Sequence, residues 1–374
     1  MQTTGIAISG HGVWHPDTIL NNDELVVAFN EFVRRENLKH ADEIAAGKRE
    51  PLKDSGSEWI VKASGIKTRY VEDKTGLLDP DRMCPNIKDR PEDQISIQAE
   101  YAKNAAVKAL AKAGRAGEEI DLVVLGCSNL QRLYPAIAIE VQDAVGARGY
   151  GYDISIGCSA ATGATIMAQQ AIQSGAAKCA LVVVPELTTP HMNWRERDSH
   201  FIFGDASVAF VVEPVERARP GSWEILSSRM MSKWSNNIRN NAGYINRCDP
   251  ETQFNDDKLF HQNGRRVFKD VVPLAAKFIT EHLASHDLTP DKIGRYWLHQ
   301  ANQKLNELVA EYVLGKPASK QLSPIILHEY GNTASAGSLI AFSNHNEDLP
   351  AGTLGIMSSF GAGYSLASLL LRKT

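Results

Sequence analysis

Three residues in this chain could carry chemistry together: Cys158, His299 and Asn332. Cys158 follows the strand-like run Tyr152-Asp-Ile-Ser-Ile156 and opens a small-residue stretch that reads as a helix to about Ser174, ended by Gly175. A thiol at a helix N-terminus lies beside unpaired N–H groups and the positive end of the dipole, and both favour the nucleophilic thiolate. Its neighbours Gly157, Ser159, Ala160 and Ala161 are small, which leaves room for a substrate. The competing reading is a buried structural cysteine, the commoner fate of that residue. His299 ends the run Arg295-Tyr-Trp-Leu298, where an imidazole can face a cleft and exchange or donate a proton, or lie satisfied in the core. Asn332, after Gly331, reads by itself as a turn residue.

An internal repeat changes how these residues read. One strand ends in Leu125-Gly-Cys-Ser-Asn129 and another in Leu298-His-Gln-Ala-Asn302. Asn129 precedes Cys158 by almost the same interval as Asn302 precedes Asn332. Small-residue stretches follow both, and then β hairpin-like segments, Ala180–Val212 and Thr353–Leu371, with glycine turns at Phe203-Gly-Asp-Ala-Ser207 and Phe360-Gly-Ala-Gly-Tyr-Ser365. Matching order and spacing predict a duplicated α/β unit with halves 1–215 and 216–374. Related by a pseudo-twofold axis, the halves would bring Cys158, His299 and Asn332 to one cleft. Two stretches read as insertions. Residues 21–58 carry an amphipathic helix with apolar positions at Leu25, Val26, Phe29, Phe32 and Val33. Residues 71–94 lack periodicity and read as a surface excursion.

The chain has 374 residues, long enough for two such units. Its net charge of −4 argues against a nucleic-acid binder. No apolar run reaches the roughly 20 residues that cross a bilayer, and no signal peptide is apparent. Five cysteines without a C-x-x-C pair argue against disulfide scaffolds and zinc ribbons, so the expected compartment is the cytoplasm. Gly10-His-Gly12 and Gly361-Ala-Gly363 lack the rest of a dinucleotide fingerprint. The histidine pairs His11/His15 and His282/His286 have no metal-ligand companions, and no metal site is expected. Cys84, Cys127, Cys179 and Cys248 read as structural.

Cys158, Trp297-Leu-His-Gln-Ala-Asn302, Tyr330-Gly-Asn-Thr333 and Phe360-Gly-Ala-Gly363, in this order, resemble ketoacyl-(acyl carrier protein) synthase III of the thiolase superfamily. The resemblance runs from Gly5 to Leu371 apart from the two insertions. It implies an α/β thiolase-like fold, five-layered αβαβα, from two pseudo-symmetric halves, assembled as a homodimer. The implied reaction is a decarboxylative Claisen condensation without a resident cofactor, with acyl-CoA and malonyl-acyl carrier protein as substrates. Cys158 would carry the acyl group, His299 and Asn332 would stabilise the enolate, and the N–H groups of Cys158 and Ala362 would form the oxyanion hole. Family members often have glycine where Ala362 stands. Trp59 and Arg197 resemble the nucleotide site, and Phe268 and Asn302 the pantetheine tunnel. Lys62 and Ala63 occupy the stretch where the family commonly has a phosphate-binding arginine, so that contact is not implied here, and Lys304 replaces another such arginine. Arg265, Arg266 and Lys269, with Lys304, would dock the acidic carrier protein. Tyr134 falls where the family reaches across the dimer to close the partner's acyl pocket. The insertions look like a longer subgroup that condenses medium-chain primers such as octanoyl-CoA.

Three other functions remain open on sequence. A non-elongating relative could pass the acyl group to another nucleophile or join two acyl chains head to head. A cysteine hydrolase would cleave thioesters without a malonyl donor. A non-catalytic thiolase-fold subunit would need none of the three residues.

Overall fold

Alternation along the strands sorts the apolar side chains into layers. In Ala206–Pro214, Val208, Phe210 and Val212 point into one core while Ala209 and Val211 point into another. In Gly363–Lys373, Ala367, Leu369 and Leu371 join the first of these cores, and Leu366 and Leu370 join a third. The computed structural model describes residues 5–374. Nine strands make one sheet in the spatial order Arg295–Leu298, Leu354–Gly361, Gly363–Lys373, Trp223–Ser235, Ile6–Trp14, Ala206–Pro214, Ala180–Glu186, Leu122–Gly126 and Tyr150–Ile154. The first four follow residue 216 and the last five precede it. They meet where Ile6–Ile8 pairs antiparallel with Trp223–Ile225.

Helices complete five layers. The central pair, Ala160–Gln173 and Gly337–Asn344, sits in the shared core between the two parts of the sheet. Ala160 to Ile166 are all buried, so the first two turns of this helix have no solvent-exposed face, as a helix between two sheets requires. Helices Ile97–Ala113 and Ile137–Ala144 cover one outer face; Gly264–Ala284 and Gln303–Leu314 cover the other. The architecture is thiolase-like αβαβα.

Gly10 and Gly12 have a packing role. A Cβ on Gly12 would lie 2.5 Å from the Ala105 carbonyl oxygen, and one on Gly10 would lie 2.7 Å from the Ala113 Cβ. The pair lets helix Ile97–Ala113 rest on the strand Ile6–Trp14.

Of the two expected insertions, the first holds the helix Asn22–Lys39, closed by an Asn21/Glu24 capping box. Leu25, Phe29, Phe32 and Val33 pack with Trp194, Phe201 and Phe203, whereas Val26 is only partly buried. The second contains neither helix nor strand between Tyr70 and Ile97. It is pinned instead by Asp73, which accepts from the N–H groups of Gly76 at 2.8 Å and Asn86 at 2.7 Å. It is not wholly on the surface, because Val71, Leu77 and Met83 are buried in the same cluster. No helix is long and apolar enough to cross a membrane among the described residues.

Gly10→Val is expected to lower stability by about 1–3 kcal/mol through overpacking. The urea midpoint reads this directly, and an unchanged midpoint would contradict the close packing.

Candidate active site

The strand Tyr150–Ile154 delivers the chain to Gly157, whose φ of +57 turns it sharply into Cys158. Ser159 is the N-cap residue of helix Ala160–Gln173, so the thiol stands just ahead of the helix rather than within its first turn. The C-terminal hairpin holds this corner in place. Ser159 Oγ donates to the Ser365 carbonyl at 2.9 Å, Ser365 Oγ donates to the Ile156 carbonyl at 2.8 Å, and Ser359 Oγ donates to Thr162 Oγ1 at 2.7 Å. Gly361 passes so close that a Cβ there would lie 2.7 Å from Cys158 Sγ.

Burial pushes the Cys158 thiol up to about 11, and the N–H groups of Ala362 and of Cys158 itself pull it the other way. This reverses the expectation drawn from the helix N-terminus. A terminal dipole contributes a few tenths to about 1 kcal/mol, and loss of water around a thiolate outweighs it here. The two amides nevertheless face the sulfur, where a negative oxygen attached to the same carbon would be received.

His299 and Asn332 lie with Cys158 on one cavity of about 240 Å³. His299 is held by its N–H donating to the Ser358 carbonyl at 2.9 Å. Burial lowers its imidazole to about 4, so the ring is neutral at physiological pH. The Asn332 backbone is fixed by bonds to Ile202 and Gly204. Its Oδ1 accepts from the Ala334 N–H at 2.9 Å, which leaves the Nδ2 group as the free donor. Gly204 makes the approach possible, since a Cβ there would lie 2.9 Å from the Arg69 Cβ.

Trp59, Phe268 and Asn302 line the same cavity. Arg197 lies with its guanidinium 4.1 Å from the Trp59 ring centroid and its Nε donating to the Asp54 carbonyl. Both ends of the Asn302 amide are engaged, Nδ2 with the Ala63 carbonyl and Oδ1 with the Leu305 N–H, so its side chain caps helix Gln303–Leu314 and shapes the wall. Lys304 is exposed and pairs loosely with Glu307 at 3.7 Å. Arg265, Arg266 and Lys269 are exposed on the first turns of helix Gly264–Ala284. Tyr134 is 84% exposed and touches neither cavity. All five cysteines are free, and no group of three or more metal-ligating side chains occurs among the described residues.

Residues 152–233 match the family described as 3-oxoacyl-(acyl carrier protein) synthase III, and residues 283–373 match that enzyme's C-terminal family. The chain is 51% identical to the beta-ketodecanoyl-(acyl carrier protein) synthase of Pseudomonas aeruginosa, over 92% of this chain and 99% of that protein. The chain belongs to the 3-oxoacyl-(acyl carrier protein) synthase III family. It is a condensing acyltransferase of fatty acid synthesis. Against the Granulibacter bethesdensis beta-ketoacyl-(acyl carrier protein) synthase III the identity is 28% over 98% of both chains. The crystal structure of the Aquifex aeolicus 3-oxoacyl-(acyl carrier protein) synthase III superposes with a TM-score of 0.75 at 27% identity, covering 98% of this chain and all of that one.

Against this family background, the structure adds features that sequence reasoning missed. A second cavity, of about 550 Å³, meets the first at Cys158 and runs past Ser128, Asn129, Leu187 and His191. Phe203, Ile238 and Phe260 border both cavities and so form the partition between them. Ile238 and Phe260 belong to a segment closed by the short ladder Ile238–Arg239 with His261–Gln262, too short to show as alternation. Glu186, wholly buried at the end of Ala180–Glu186, bonds to both Ser128 and Ser335. A lone acid closing an otherwise apolar run was its one sequence signal.

In the free enzyme, alkylation of Cys158 by iodoacetamide is expected to keep rising with pH beyond 9, toward a midpoint near 11, because the raised value leaves little thiolate at neutrality. A plateau below pH 8 would contradict the burial argument.

Proposed function

We propose that this family member condenses an acyl-CoA primer of medium length, such as octanoyl-CoA, with malonyl-acyl carrier protein through an acyl thioester on Cys158. The observation that carries the reading is the position of Cys158 where two cavities meet. One cavity presents His299 and Asn332 and leads to Trp59; the other offers space for an acyl chain. The name of the Pseudomonas aeruginosa relative, a beta-ketodecanoyl synthase, supports a primer of eight carbons, since condensation with malonyl adds two.

In the first half-reaction Cys158 Sγ bonds to the acyl carbon, the bond from that carbon to the CoA sulfur breaks, and the thiol proton leaves with CoA. The N–H groups of Cys158 and Ala362 receive the oxyanion. Ala362 serves this role through its backbone N–H. Its Cβ packs against Gly157, where an added Cβ would come within 3.0 Å of it. In the second half-reaction the malonyl carboxylate leaves as CO2 and its electron pair forms an enolate. The enolate carbon attacks the acyl carbon, and Cys158 leaves as thiolate and regains a proton.

Asn332 Nδ2 and the neutral His299 ring donate to the enolate oxygen. Burial suits His299 to this: an imidazole titrating near 4 is a poor base but donates a hydrogen bond without giving up its proton. The same property counts against a thioester hydrolase, which needs a base to activate water. Acyl-CoA is a substrate here, and the thiol, imidazole and amides carry every step without a resident cofactor.

The stacked Trp59 and Arg197 would receive the adenine, and Phe268 and Asn302 would border the pantetheine arm. Arg265, Arg266 and Lys269, with Lys304, would dock the carrier protein. Three cations at a helix N-terminus oppose its dipole, a local cost that an acidic partner would relieve. A homodimer fits the strand Tyr150–Ile154, which has one neighbour in the sheet, and the exposed Leu133 and Tyr134 nearby in sequence. The grouping of strands on either side of residue 216 supports duplication of units 1–215 and 216–374. We place the enzyme in the cytoplasm with its substrates.

Asn332→Ala is expected to load octanoyl groups from octanoyl-CoA normally while losing condensation about 100-fold, the effect of removing one preorganised donor. Separate measurement of loading and of CO2 release checks this. Equal loss in both steps, or wild-type preference for acetyl-CoA over octanoyl-CoA in kcat/KM, would contradict the assignment.

A further inference from the structure

Glu186 is a buried carboxylate that the reaction above does not use. Its Oε1 accepts from the N–H groups of Ser128 and Ser335, both at 3.0 Å, and from Ser335 Oγ. Its Oε2 accepts from Ser128 Oγ at 2.7 Å and lies 3.4 Å from Cys127 Sγ. No cationic side chain pairs with it among the described residues. An ionisable group held this way is costly where the rest of the strand, Ala180–Pro185, is apolar and buried. An aliphatic residue would fill the same space if packing were the only demand.

The two serines it joins belong to different walls. Ser128 follows the strand Leu122–Gly126 and lines the larger cavity. Ser335 follows Ala334, whose N–H holds Asn332 Oδ1 and so turns Asn332 Nδ2 toward the smaller cavity. The bonds that hold the Cys158 corner come from Ser159, Ser359 and Ser365 instead, and none of them involves Glu186. The carboxylate therefore ties the Asn332 side of the site to the Ser128 wall by hydrogen bonds, and bears on the thiol only through its charge, which adds to burial in raising Cys158.

We propose that Glu186 is a positioning residue for the condensation half-reaction, clamping the Asn332–Ser335 turn to the Ser128 loop so that the Asn332 amide is aimed at the enolate oxygen. This rests on the functional reading above, in which Cys158 is acylated and Asn332 serves the second step. A misaimed donor costs rate through geometry, on the order of 100-fold for about 1 Å. It need not affect acyl transfer to Cys158.

The test uses the full-length enzyme and reads the two half-reactions separately: octanoyl transfer from octanoyl-CoA to Cys158 by intact mass, then CO2 release on addition of malonyl-acyl carrier protein. Glu186→Ala is expected to load within about fivefold of the wild-type rate and to lose CO2 release roughly 50-fold, in kcat rather than in KM for the malonyl donor. Glu186→Gln should restore most of that loss. Its amide oxygen can accept both backbone N–H groups, and the hydroxyl of Ser128 can rotate to accept from the new NH2. Equal loss of both half-reactions, undiminished CO2 release in Glu186→Ala, or failure of glutamine to rescue would overturn the clamp. If Glu186→Ala does not fold, Ser335→Ala removes one hydroxyl from the same clamp; it should show the same split at smaller size, and an even loss would again overturn the proposal. Wild-type enzyme that fails to load or to release CO2 would instead overturn the functional reading, and the clamp with it.

Discussion

The turn Phe360-Gly361-Ala362 approaches Cys158 so closely that only glycine fits at its centre. A Cβ on Gly361 would lie 2.7 Å from the cysteine sulfur. This approach makes one site from segments that are far apart in the chain. It brings the Ala362 N–H to the sulfur beside the thiol's own amide, and it places Phe360 edge-on to the His299 ring, with centroids 5.6 Å apart. The serines on either side of the turn then tie the corner down through Ile156, Ser159 and Thr162. A larger residue at 361 would push the oxyanion donors off the sulfur and unseat the ring behind them.

Dryness is the second condition, and it acts on the buried titratable groups around the thiol. It holds His299 neutral, raises the thiol and raises the carboxyl of Glu186. Each shift is a cost of desolvation. The same loss of water strengthens the fixed donors, because a hydrogen bond to a developing oxyanion is worth more in a medium of low dielectric. A thiol that is not ionised at rest also suits a two-step transfer. It is acylated only when a thioester is in place to receive it, and the departing CoA sulfur can take the proton.

Much of this was legible in the sequence, for definable reasons. Cys158, His299 and Asn332 stand at equivalent or neighbouring points of an internal repeat, and the structure brings all three to one cavity. The helix Asn22–Lys39 announced itself by its apolar spacing. Other features had no local signal. The state of the Cys158 thiol depends on how much water the assembled protein excludes, which helix position alone does not reveal. The partition between the cavities comes from Ile238 and Phe260, at either end of a segment with almost no regular structure. Gly10 and Gly12 lack the rest of a nucleotide fingerprint, and only the helix packed above them explains their size. Asn302, placed in the tunnel by resemblance, has both ends of its amide committed to the backbone.

The account stands on one covalent intermediate. Intact-protein mass of the wild-type enzyme, taken after octanoyl-CoA and again after malonyl-acyl carrier protein, tests it most directly. The account predicts a single octanoyl adduct that maps to Cys158, is stable without the malonyl donor, and is discharged by it with release of CO2. An adduct on another residue, or release of free octanoate without any malonyl donor, would contradict it.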